Sequence, residues 1–103
     1  MDTAVILPIS NQPGYYAFSC PGCRCGHKIN ISPANHGPRW TLTGTPESPT
    51  IRASVLVRGG YYDSVAQVDK VGVCHSFVTN GDIEFLSDCT HELAGQTVPL
   101  PVL

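Results

Sequence analysis

Charge is scarce in this chain: Asp, Glu, Lys and Arg make up 14% of its 103 residues, roughly half the ~25% usual in soluble domains. The formal net charge is −2. The basic excess that a phosphate backbone demands is therefore missing, and no nucleic-acid partner is expected. Long apolar runs are missing too. None approaches the ~18 residues of a membrane span, so no membrane partner is expected. The first residues lack the basic region and long apolar stretch of a secretory signal, which points to the cytoplasm of the cell that makes the chain. No apolar stripe of period 3.6 lasts three turns, so long helices are not expected. Gly-x-Ser-x-Gly, P-loop and Gly-x-Gly-x-x-Gly motifs are also absent, and no small-molecule substrate is expected. A chain of 103 residues has room for one domain, taken here as 1–103, and little volume for a closed pocket.

What is present is punctuation. Nine prolines and ten glycines cut the chain into short apolar pieces, which read as strands at about Val5–Ile9, Tyr15–Ser19, Lys28–Ser32, Arg39–Thr43, Thr50–Val57, Val71–Val78 and Ile83–Leu86. The expected fold is all-β and mainly antiparallel, a small sandwich or sheet with at most one short helical turn, at Thr90–Ala94 ahead of Gly95. Gly59-Gly60-Tyr61-Tyr62 reads as a flexible loop. Asn80-Gly81 predicts a two-residue hairpin turn, because both central positions of that turn need φ > 0. Val78 then faces Ile83, and Ser76 faces Phe85. Alternation puts Cys74, Val78, Ile83, Phe85 and Cys89 on one face, with His75, Phe77 and Leu86 on the other. The Pro-punctuated ends, Ala4–Ile9 and Val98–Leu103, read equally as edge strands or as intermolecular contacts.

The five cysteines fall into three clusters with histidines: Cys20-Pro21-Gly22-Cys23-Arg24-Cys25-Gly26-His27, then Cys74-His75, then Cys89-Thr90-His91. Cys-x-x-Cys with Pro and Gly inside forms a knuckle whose sulfurs and backbone N–H groups converge on one cation. Three clusters of soft or borderline ligands in a short cytoplasmic chain fit structural zinc better than disulfides, and an odd count of cysteines disfavours full pairing. A redox role needs a helix after the second cysteine, where this chain reads as a strand. Cys20 and Cys23 form the first ligand pair. Cys74 and Cys89, on one face of the hairpin, form the second, with Cys25 and His75 in reserve and His91 a third choice. His27 reads as a strand-surface residue and His36 as a loop residue. Asp88 and Glu92 flank the third cluster and allow a zinc hydrolase to be drawn. Asp88, however, has a simpler reading as the cap of the following turn, and no catalytic residue is assigned.

The knuckle, Trp40, Pro49-Thr50 with Ser54-Val55-Leu56, Cys74-His75-Ser76-Phe77-Val78, and Asp88-Cys89-Thr90-His91 running on through Leu93-Ala94-Gly95-Gln96-Thr97-Val98 resemble a family of small zinc-binding tailed-phage and prophage proteins. Its members often carry the label "ammonia monooxygenase". The resemblance covers Phe18 to Pro101 and departs at Arg52-Ala53, where the family tends to have Ser-Pro. The label does not suit a chain without membrane helices or a histidine- and carboxylate-bound copper site. The resemblance, with the low charge and apolar ends, implies a non-enzymatic structural protein such as a capsid decoration. Its partners would be phage virion subunits or copies of itself, in the host cytoplasm and then in the virion. The alternatives are an intracellular accessory protein that binds a host factor and, third, a zinc hydrolase. A related zinc-binding family that occurs beside bacterial ubiquitin-like conjugation genes hints at an accessory role in protein modification.

Overall fold

A computed structural model describes residues 3–103. Strands β1 (Ile6–Pro8), β2 (Tyr15–Cys20) and β3 (Cys25–Asn30) form one sheet. Strands β4 (Thr41–Thr45), β5 (Ser48–Asp63), β6 (Val68–Thr79), β7 (Asp82–Phe85) and β8 (Thr97–Pro99) form a second, in meander order. Every pairing is antiparallel. The fold is all-β, with no helix among the described residues. Residues 92–95 make turns rather than a helical turn. Gly95, at φ 78°, sends its N–H back to Phe85 O.

Alternation along the strands builds the core between the sheets. Phe18, Cys20 and Ile29 come from the small sheet, and Ile51, Val55, Cys74, Val78, Ile83 and Phe85 from the large one. All nine are almost fully buried, the condition under which apolar burial contributes about 25 cal/mol per Å². The hairpin expected from Asn80-Gly81 is present, with Val78 opposite Ile83 and Ser76 opposite Phe85. Both turn residues have positive φ, 49° and 84°.

Two readings, those of Gly59–Tyr62 and His27, differ from the structure, and the C-terminal segment follows one of the two readings given for it. Gly59 to Tyr62 is no loop: β5 and β6 stay paired from Val55–Ser76 out to Asp63–Val68. The run of Gly and Tyr hid a strand because glycine is weak in strands taken alone, while the partner strand decides here. The C-terminal segment closes the large sheet of its own chain. Val98 pairs with Ile83, Leu100 is buried and donates its N–H to Gly81 O, and Leu103 N–H reaches Ala4 O. His27 lies inside rather than on the strand surface, its ring edge-on to Phe18.

One irregularity bears on function. Between the pairs Ile51–Val78 and Val55–Ser76, four residue steps of β5 run against two of β6. This bulge holds Arg52, Ala53 and Ser54, and the Arg52–Ala53 peptide in it is cis. The Arg52 guanidinium fills the gap in the ladder, donating to Ile51 O, Val78 O and Thr79 Oγ1 at 2.8–2.9 Å. Bulges turn a strand and re-aim its side chains.

Candidate active site and metal centre

The re-aimed side chain is Ser54. Its Oγ lies 3.1 Å from Nε2 of His75, on the neighbouring strand. The other ring nitrogen, Nδ1, lies 3.0 Å from Asp88 Oδ2. These distances are those of a hydrogen-bonded Ser–His–Asp chain: a hydroxyl, a base able to take its proton, and a carboxylate that holds the base in one tautomer. Trp40 Nε1–H donates to Ser54 O at 3.0 Å and fixes the serine backbone from the side opposite β6. Ser54 and His75 are half-buried, and Asp88 is exposed.

Asp88 reaches His75 because the chain turns sharply after β7. Leu86 N–H still donates to His75 O (2.9 Å), as in a regular ladder, but Leu86 O turns to accept from Cys89 N–H (3.2 Å). The turn places Asp88 beside the imidazole and Cys89 against the His75 backbone. Thr90 then rejoins β6, its N–H bonded to Val73 O at 2.9 Å.

On the opposite face of β6, Cys20, Cys23, Cys74 and His91 bring one ligand atom each within 4.8 Å of one another. This Cys/His cluster can hold a metal ion. The Cys20 and Cys74 sulfurs are 3.8 Å apart, matching the roughly 3.8 Å between two thiolates bound at ~2.3 Å with tetrahedral geometry. The knuckle supplies Cys23 N–H to Cys20 Sγ at 3.3 Å. His91 Nε2 is buried without a hydrogen-bond partner, which is costly unless something ligates it. Phe85 braces the ring edge-on, and Leu93 N–H approaches Nδ1 at 3.2 Å. Ligation through Nε2 moves the ring proton to Nδ1 and gives up that long contact. A Cβ at Gly22 would overlap the His91 ring, so the knuckle glycine is what admits the histidine.

Proton affinities agree with a cation site. Hydrogen bonds from the Cys23 and Cys74 thiols hold Cys20 far below the ordinary thiol range. The same contact with Cys20 pushes Cys23 up to about 12, and Cys74 is raised as well. One thiolate is thus shared by two S–H groups, whose protons a divalent ion would replace. Burial lowers the affinity of His91 for a second proton and keeps the imidazole neutral, as ligation requires.

The expected ligands are therefore distributed as follows. Cys20, Cys23 and Cys74 converge, and the fourth atom of the cluster comes from His91. Cys89 instead lies against the backbone of His75, where its sulfur accepts from the His75 N–H and donates to His75 O. His75 faces away from the cluster, toward Ser54. Cys25 groups with Cys23 and His27.

The family model described as bacterial ubiquitination-like system serine protease (BubE) matches residues 2–86. The chain belongs to this family. No curated protein and no solved structure gives a match. The match overturns the resemblance to a phage zinc-binding family, and with it the reading as a non-enzymatic phage structural protein and the virion and capsid roles attached to it. A serine protease family is a family of enzymes, so the expectation of no enzyme is corrected too. That expectation failed for a structural reason. Ser54, His75 and Asp88 sit in three separate sequence segments and form no local motif. A bulge, a strand pairing and a turn bring them together.

Proposed function

We propose that this protein is a serine hydrolase of the protease type acting in a bacterial ubiquitination-like system. Ser54 is the nucleophile, His75 the general base and Asp88 the residue that orients it. The observation carrying this reading is the chain of hydrogen bonds from Ser54 Oγ through His75 to Asp88; the family's description agrees with it. In the mechanism this supports, Ser54 Oγ attacks the acyl carbon while His75 Nε2 takes its proton. The proton then passes to the leaving amine or alcohol, and water releases the acyl group by the same route in reverse. Asp88 keeps the Nδ1 proton in place and stabilises the imidazolium while it exists.

The finer identity of the metal belongs to the same proposal. Three thiolates and one imidazole with ligand atoms within 4.8 Å of one another suit zinc. The ion would be structural: four protein ligands leave no open position, and Ser54 lies on the other face of β6. Zinc, when bound, supplies ligation energy to the fold; the chemistry at Ser54 belongs to the side chains.

A fluorophosphonate probe, which captures activated serines, tests the reading. Peptide mapping should find the adduct on Ser54. Ser54→Ala should abolish labelling with the melting temperature kept to within about 2 °C, since a half-buried hydroxyl contributes little to stability. No adduct, or one on another serine, would overturn the assignment.

A further inference from the structure

We infer that Cys89 is a positioning residue for His75, an inference that rests on the serine hydrolase reading above. Its thiol stands in for the backbone partner that the turn takes away. In a regular antiparallel pair, His75 and Leu86 would exchange two N–H···O bonds. One is made, from Leu86 N–H to His75 O. The other is not made: Leu86 O turns away to accept from Cys89 N–H. The sulfur of Cys89 fills the vacancy: it accepts from His75 N–H at 3.2 Å and donates its S–H to His75 O at 3.2 Å. Both polar groups of the residue that carries the base are thus tied to one side chain, itself 8% exposed.

The same turn carries Asp88, so Cys89 fixes the His75 backbone and the Asp88 carboxylate relative to each other. The metal cluster braces the arrangement from both flanks, through Cys74 before His75 and His91 after Cys89. A thiol suits this position because sulfur both accepts and donates weakly over longer distances than oxygen, while packing as a small apolar group. This explains a cysteine that belongs to the third cysteine cluster of the sequence and yet lies apart from the metal ligands.

The experiment compares wild type, Cys89→Ala and Cys89→Ser, all metal-loaded. The readouts are metal content, circular dichroism, hydrogen exchange of the His75 amide and the kinetics of fluorophosphonate capture at Ser54. Cys89→Ala should keep its metal and fold. Its His75 amide should exchange faster, and capture should slow about tenfold, in the maximal rate rather than in probe affinity. Cys89→Ser, whose hydroxyl can also accept and donate, should recover most of that rate. Loss of the metal in Cys89→Ala would make Cys89 a ligand and overturn the inference. So would a wild-type capture rate in the folded alanine variant. Should Cys89→Ala fail to fold, Cys89→Ser decides: near-wild-type capture supports positioning, and a tenfold loss in the folded serine variant overturns it. Absence of capture in the wild type would count against the serine hydrolase itself. The His75 amide would then still report whether the thiol holds the backbone, with unchanged exchange in Cys89→Ala as the overturning result.

Discussion

Asp88 carries the least sheltered role among the three residues of the site. Its side chain is 54% exposed, against 25% for His75, so water screens the charge and shares the carboxylate's hydrogen bonds. Its contribution should rest on orientation more than on charge. In serine proteases with a buried aspartate, the Asn replacement costs about 10⁴-fold because it holds the wrong tautomer. Here Asp88→Asn should cost less, on the order of 10- to 10³-fold in capture rate at Ser54, and Asp88→Ala should fall in the same range. A loss under about threefold would show that Ser54 and His75 act as a pair without the carboxylate. These roles were only half legible in the sequence. Alternation around Asn80-Gly81 already places His75 on the face opposite Cys74, yet on sequence alone His75 stays in reserve as a metal ligand. Nothing local marks Ser54, because a bulge has no reliable signature without its partner strand. Asp88 is obscured by its plausibility as a cap.

At the scale of elements, the long β5–β6 hairpin is held at its far end by a single carboxylate. Asp63 Oδ1 accepts from Val65 N–H and Ala66 N–H at 3.0 and 2.9 Å, which forms the turn, and Oδ2 meets Lys70 Nζ at 2.8 Å. Arg24 at the knuckle joins the same anion at 3.9 Å, and Ser64 bonds back to Arg24 O. The hairpin tip is thereby tied to the metal knuckle of the other sheet. Lys70 and the two turn amides hold the Asp63 carboxyl down to about 2. Since the folded value lies below the ~3.9 of an unfolded Asp, the stabilisation is fully present above pH ~4 and is lost as pH falls through about 2. Melting temperature measured from pH 5 down to pH 2 should therefore decline more steeply in the wild type than in Asp63→Asn, which starts lower and changes less. Parallel curves would show that Asp63 contributes nothing specific. The fold class and the β6–β7 register were readable because alternation and turn chemistry agree there. The outer half of β5 was not, because the residues that order Gly59 to Tyr62 lie on β6 and at the knuckle.

For the whole molecule, the metal cluster joins parts that the backbone ladder does not. Cys20 ends β2 of the small sheet and Cys23 lies in the turn to β3, Cys74 is on the central strand of the large sheet, and His91 lies in the segment beyond β7 that also carries Asp88. Among the described residues the two sheets share no strand pairing; apolar contact, the Arg24–Asp63 and Ser64–Arg24 links and this Cys/His cluster hold them face to face. A chain of this size buries a modest core, and structural zinc ligation is worth about 10–16 kcal/mol in small domains at neutral pH, as large as the whole stability typical of a domain. Elemental analysis of protein purified without chelator should accordingly give about one zinc per chain. Chelation, or Cys20→Ser, should then produce cooperative unfolding rather than a local defect, and fluorophosphonate capture at Ser54 should disappear in step with the circular dichroism signal. Two results would point elsewhere. If metal-free protein keeps its melting temperature, the core between the sheets suffices alone and the ligands are incidental to stability. If the fold persists while capture is lost, the ion acts through Cys74 and His91 on the neighbouring His75 and Asp88, and its place is in the catalytic geometry rather than in the fold.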